Sequence, residues 1–425
     1  MVALALIGAA WAHPWTDPTT RANSPSAPDP SGASSGQRSS DWDDIETIPG
    51  VLAWSTVVLA TSNLAAGPLR VPLSAKQLGE LEAVATVGGQ HLLLETSGSV
   101  WRWGSADPCI ENRRHERFVS SLEQVPGMGV IASIATGPCH AFAIGRDGAL
   151  WAWGRNDRGQ LGDGTTVDRW DPVRVGGIDD VVAVAAGDKH SVAIRSNGDV
   201  WAWGDAADGQ LGLDAARPVL LPRRVSGVPG AVAVAAGARH SIALSRDGIV
   251  WSWGRDRLTD EPTAPSAPHS LVQITNVTAI AARGGHNLAL RADGSVWAWG
   301  DNGRGQADPE AAWATDTAEP APVNGLTDVA AIATEAYHSL ALRRDGSVWT
   351  WGIAGPWSDD YEYDGMRTWP YGNLRQIPHV DNVRSIAAGL NSDFALTTRD
   401  AGEPTADSRP TRTTTAGAPR ERPVG

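Results

Sequence analysis

The chain has 425 residues, with 35 Lys and Arg against 48 Asp and Glu, and a formal net charge of −13. That balance argues against a nucleic-acid binder, which needs basic surface to neutralise phosphates, and against docking on an anionic membrane. No apolar run approaches the roughly 18 residues of a spanning helix, and two cysteines are too few for a zinc site or a disulfide framework.

Residues 1–12 are apolar after the first Met and end in Ala10-Trp11-Ala12, a small-x-small pattern like that of a signal-peptidase site, without the usual basic stretch before it. The expectation is a leader on an exported protein, secreted or held at the cell surface; a cytoplasmic chain is the alternative. Residues 13–41 are rich in Pro, Ser and Gly and read as a disordered linker. Within them, Gly32-Ala33-Ser34-Ser35-Gly36 formally matches the hydrolase nucleophile elbow. It has neither the strand before nor the helix after that the elbow requires, so the match is chance.

From residue 42 to 398 the chain repeats itself. Trp-x-Trp-Gly begins at Trp101, Trp151, Trp201, Trp251, Trp297 and Trp349, at spacings of 50, 50, 50, 46 and 52. Self-similarity at this period means a solenoid or a propeller. In the unit around Trp201, Asp180 to Gly187 is a β-branched and Ala run ending in Gly. His190 to Ile194 and Val200 to Trp203 then alternate on either side of Ser196-Asn197-Gly198. Alternating runs flanking Asn-Gly or Asp-Gly predict a hairpin with a type I′ turn. A polar loop leads to a fourth run, Pro222 to Val225. Four antiparallel strands per unit is the form of a propeller blade.

The Ala-Ala-Gly half of the unit recurs at Gly88, Gly137, Gly187, Gly237, Arg283, Glu335 and Gly389, two of which have lost the Gly. A degenerate Trp half, Leu52-Ala53-Trp54-Ser55, lies 49 residues before Trp101. The expectation is therefore an all-β, seven-bladed β-propeller of four-stranded antiparallel blades, its ring closed by N- and C-terminal half-blades. Residues 399–425, rich in Pro, Thr and Arg, read as a disordered tail.

The units read Gly-x-x-His-Ser-x-Ala, then Asp-Gly-x-Val-Trp-x-Trp-Gly, then Asn156-Asp157-Arg158-Gly159-Gln160-Leu161-Gly162, partly repeated at Ala207 to Gly212. This order of motifs resembles the regulator of chromosome condensation repeat, in its bacterial form, over about residues 42–398. The resemblance implies a seven-bladed propeller that docks another protein on one face. Members include an exchange factor for the small GTPase Ran and secreted inhibitors of β-lactamases. It fixes fold far better than function.

Six of the ten histidines share one repeat position: His91, His140, His190, His240, His286 and His338. Rotation about a propeller axis sends them into separate blades, which predicts a structural hydrogen bond and no metal or cofactor. His115-Glu116 has Val119 where a zinc-binding helix needs a second His, and no phosphate loop is present. The Trp pairs, twelve of twenty tryptophans, should pack between blades, with a carbohydrate platform as the other reading. Cys109 and Cys139 either pair, if the chain is exported, or are ordinary thiols.

The aromatic residues outside the repeat are more telling. The insertion Ile353 to Arg375 carries Trp357, Tyr361, Tyr363, Trp369 and Tyr371 among Asp359, Asp360, Glu362 and Asp364. In a four-stranded blade, the loops after strands one and three emerge on the same face. Tyr337, Lys189 and Arg239 should then share a face with the insertion. Interleaved Tyr, Trp and acids match the composition of binding hot spots. The reading is a non-enzymatic, monomeric, protein-binding propeller that uses this loop face. Guanine-nucleotide exchange on a small GTPase is the alternative, and a carboxylate-based glycan enzyme a third.

Overall fold

In the computed structural model of the chain, the described residues are 45–55, 67–72, 78–87, 90–105, 118–255, 267–310, 317–352, 374–377, 380–389 and 392–397. The expected leader, linker and tail, and nearly all of the aromatic insertion, lie outside them. The described residues form 28 strands. They open with β1 (Ile45–Ser55) and β2 (Gly67–Pro72). Blade one is β3–β6: Leu81–Val87, Gln90–Glu95, Val100–Ser105 and Phe118–Gln124. Blade two is β7–β10: Ile131–Thr136, His140–Gly145, Leu150–Gly154 and Arg169–Arg174. Blade three is β11–β14: Val181–Ala186, His190–Arg195, Val200–Gly204 and Val219–Val225. Blade four is β15–β18: Ala231–Ala236, His240–Ser245, Val250–Gly254 and His269–Leu271. Blade five is β19–β22: Val277–Arg283, His286–Arg291, Val296–Gly300 and Thr317–Pro322. Blade six is β23–β26: Val329–Glu335, His338–Arg343, Val348–Gly352 and Arg375–Gln376. The last described strands are β27 (Val383–Ala387) and β28 (Ser392–Thr397).

Each of the six blades is a four-stranded antiparallel sheet built from one run of sequence. The remaining strands make a composite sheet, in the order β2-β1-β28-β27. The expectation of seven like blades, with the ring closed by two half-blades of the repeat, is corrected here to six complete blades and one irregular sheet. The reason lies in β1. It runs for eleven residues and shifts register between Thr47 and Leu52. It also has Leu52 where the repeat has its first Trp and Ser55 where the repeat has its closing Gly.

The hairpins differ from expectation in detail. In blade three, Ile194 pairs with Val200, the Gly198 N–H donates to the Arg195 carbonyl at 2.8 Å, and Gly198 sits at φ +85°. Asn197 is not in the left-handed region. A type I′ turn needs positive φ at both central residues, so this is instead a three-residue loop with a glycine bulge. The Trp pairs are also not equivalent. Trp203, Trp253, Trp299 and Trp351 are fully buried, whereas the first Trp of each pair is only half-buried. The second Trp packs among small and branched residues of adjoining blades: Trp203 sits in one cluster with Leu161, Val175, Val184 and Val192.

Candidate functional site

The three motifs of the unit meet at the joints between blades. His140 of β8 reaches Ser191 of the next blade, Nε2 to Oγ 2.9 Å. The Ser191 hydroxyl donates to the Gln160 carbonyl at 2.8 Å, and Trp203 Nε1 donates to the same oxygen at 2.8 Å. Because the hydroxyl proton is spent on Gln160, the imidazole must donate from Nε2. One joint thus uses the His, the Trp and the Gly-Gln-Leu-Gly turn together. The last glycine is required there: Gly162 has φ +71°, and a Cβ on it would lie 2.8 Å from Trp203 Nε1. The next joint repeats this with His190, Ser241, Gln210 and Trp253. Further round, His240 meets Asn287 at 2.7 Å, His286 meets Ser339 at 2.9 Å and His338 meets Asp393 at 3.0 Å.

The histidines were expected to make structural hydrogen bonds; five of them do, each tying its blade to the next sheet. His91 has no hydroxyl to meet, since the next blade offers Ala141, and rests against Trp103 and Phe394, with ring centroids 4.8 and 5.0 Å away. Burial drives the His140, His190 and His286 pKa values down to about 3, and that of His91 to about 4. In these four the Nδ1 atom is buried without a partner, so a second proton would have nothing to bond. Burial also pulls on His338, but the Asp393 carboxylate, its hydrogen bond and Glu335 outweigh it and raise the pKa. His140, His190 and His286 are therefore neutral struts, and among the described residues no cluster suits a metal ion.

The parity argument for the loop face is matched by contacts. Arg239, between β15 and β16, lies 3.8 Å from Asp208, which follows β13. Arg304, which follows β21, stacks over the Tyr337 ring, between β23 and β24, at 4.1 Å. Lys189 is half-buried on this face and Arg239 is exposed. Of the residues expected to bind a partner, Tyr337, Lys189 and Arg239 are described. Trp357, Tyr361, Tyr363, Trp369 and Tyr371 lie outside the described residues.

Sequence reasoning missed the axial cluster on this face. Arg283 and Glu335 stand where the repeat has glycine, and their side chains pair at 3.3 Å, 10% and 6% exposed. Arg283 Nη1 also donates to the Thr136 carbonyl of blade two at 3.2 Å, three blades away across the axis. Burial raises the Asp188 carboxyl above its ordinary range, against the pull of Arg283 and with a push from Glu335. The signal was available: of the seven equivalent positions, only the two that lost glycine carry a charged residue.

Cys139, in the loop before His140, is disulfide-bonded, and the chain has one other cysteine, Cys109. Comparison with known proteins now adds to this geometry. A family model described as the regulator of chromosome condensation (RCC1) repeat matches residues 147–194 and 197–244. A second of the same description matches 131–160, 181–210, 231–258 and 277–306. The chain carries regulator of chromosome condensation repeats over residues 131–258 and 277–306. Over 101 residues this repeat protein is 36% identical to human E3 ubiquitin-protein ligase HERC2, a match to 23% of the chain and 2% of that protein. It is 29% identical over 94 residues to the mouse regulator of chromosome condensation, matching 21% of the chain and 22% of the relative. Its matched regions thus span less than a quarter of the length of either curated relative. Among solved structures, Prp20p from Saccharomyces cerevisiae matches with a TM-score of 0.65 at 20% identity, covering 83% of the repeat protein and 92% of Prp20p. Human WBSCR16 matches at 0.64 and 21%, covering 82% and 98%. At these identities the likeness is one of fold.

Proposed function

We propose that this propeller is a non-enzymatic scaffold that binds another protein through the face carrying its His loops. The observation that carries the reading is the contrast between joints and loops. Five joints repeat a histidine tie from sheet to sheet, while the loop positions on this face diverge: Cys139, Lys189, Arg239, Gly285 and Tyr337 stand at equivalent places in successive units. A rigid frame with divergent loops suits recognition. Support comes also from the related fold: the Prp20p structure is described with binding to Gsp1p and histones, and another holds Kap60 bound to it. The bonded state of Cys139 favours an oxidising compartment, hence an exported protein.

The test is crosslinking capture from host culture medium and lysate, comparing the natural protein with a Tyr337→Ala, Arg239→Ala double variant of equal melting temperature. A protein retained by the first and lost by the second supports the reading. A partner retained equally by both places binding elsewhere and overturns it. If the captured partner is a small GTPase, acceleration of GDP release distinguishes exchange from inhibition.

A further inference from the structure

A second surface stands apart from the axis, at the outer rim between blades two and three. A cleft of about 860 Å³ opens along residues 214–223, with Gly164 of blade two on its other side. Its floor is the outermost strand of blade three, β14, and the loop leading into it. Leu221 on this strand is 48% exposed, one of four large apolar side chains so exposed among the described residues. On either side of it in sequence, Arg217 and Arg223 are exposed, and neither guanidinium has an ion pair or hydrogen bond to the described residues. Their neighbour Arg224, by contrast, is held by Asp199 at 2.8 Å. Asp214 is the one acid in the lining. A net positive, leucine-bearing cleft is out of character for a chain of net charge −13.

The opposite wall is built to stay in place. Asn156 is fully buried, and its Nδ2 lies within 3.1 Å of Asp163 Oδ1 and of the Thr165 and Val167 carbonyls, while its Oδ1 accepts from Leu161 N at 2.9 Å. Asp163 in turn accepts from Thr165 and pairs with Arg169 at 2.9 Å. The loop is docked onto blade three by Gly164 N, which donates to the Leu220 carbonyl at 3.0 Å. A wall ordered by its own bonds is ordered before a ligand arrives, which lowers the entropic cost of binding.

We infer that this rim cleft binds an extended segment of a partner protein, an apolar side chain set between carboxylates. The apolar group covers Leu221 and the carboxylates meet Arg217 and Arg223. The lining fits an extended occupant because it is one consecutive run of ten residues ending in a strand. The Leu220 carbonyl is already taken, so selectivity rests on side chains and not on strand addition at that point.

The probe is a random dodecapeptide display library panned on the immobilised full chain. Enriched peptides should carry Asp or Glu around a Leu, Ile, Met or Phe. They should bind at least tenfold more weakly to an Arg217→Glu, Arg223→Glu variant and weaken as salt rises. The charge-swapped variant, panned alone, should enrich Lys and Arg instead. Both arginines are exposed, so the variant should melt with the parent. Enrichment without acidic residues, equal binding to both proteins, or no enrichment overturns the inference. Binding abolished by Tyr337→Ala would place the peptides on the axial face, which also overturns it.

Discussion

Replacing His190 by Gln isolates what one neutral strut does. The folded protein keeps this imidazole uncharged down to about pH 3, whereas in the unfolded chain it protonates near 6.5. Above 6.5 both states are neutral and the group gives no pH dependence. Below it the unfolded state binds a proton that the folded state refuses, so stability falls with pH. Each pKa unit is worth about 1.36 kcal/mol, so at pH 5 the deficit is about 2 kcal/mol for this one residue. His140, His190, His286 and His91 share the behaviour, and four times about 2 kcal/mol is comparable to the whole stability of a typical domain. The natural protein should unfold steeply between pH 6 and 4. At neutral pH, His190→Gln should cost about 1–3 kcal/mol for the disturbed bond to Ser241. At pH 5, proton uptake on urea unfolding should be smaller by about one proton. Potentiometric uptake, with urea midpoints taken from pH 5 to 7.5, reads both quantities. Equal uptake by variant and parent would refute the reasoning, because His190 would then be protonated in the fold.

Trp203→Phe should destabilise more than Trp299→Phe, by about 1 kcal/mol in denaturant midpoint comparisons, because only Trp203 gives its N–H to a turn carbonyl. Arg283→Ala should cost about 3–5 kcal/mol by leaving Glu335 buried and unpaired, and adding Glu335→Ala should recover most of it; calorimetry of the three proteins decides. His338 runs opposite to its relatives: its raised pKa stabilises below about 6.5 and that contribution fades as pH rises through the raised value. Asp393→Asn should therefore lose more stability at pH 6 than at pH 9, measured as urea midpoints. Asn156→Ala should cost about 2–4 kcal/mol and accelerate amide exchange at Leu161, whose N–H it would orphan.

Strand positions were legible because period two and the recurring Gly place each run, and Val200 to Trp203 lies in β13 as read. What alternation could not supply was anything set by the neighbouring blade. Trp201 and Trp203 are identical in local pattern, yet only the second has a turn of blade two folded over it. The Ser191 hydroxyl belongs to the motif of its own unit, but its partner His140 is 51 residues upstream. The turn at Gly198 was misread because Asn-Gly suits both a two-residue and a bulged loop, and strand register chooses between them. Counting halves of the motif gave seven like units; the register shift of β1 against β2 is something no count reveals. The axial pair was visible as two missing glycines, but only the ring brings Arg283 over to Thr136.

The imidazole ties run one way round the ring and fail at neighbouring joints. Ser392 replaces the histidine that would bind the composite sheet to blade one, and Ala141 gives His91 nothing to bond. Arginines serve as clasps there instead. Arg384 donates to the Leu81 carbonyl, and Arg102 reaches the Trp170 carbonyl at 3.0 Å, with Asp171 and Glu123 close by. An imidazole strut lets go when acid protonates it, whereas a guanidinium keeps its charge at any pH a cell meets. Acid therefore loosens the joints held by His140, His190 and His286, strut by strut, while the clasps flanking blade one hold. The strands β1 and β28 pair in the composite sheet beside those clasps, so a propeller opening in acid would part far from that sheet and swing on it as a hinge.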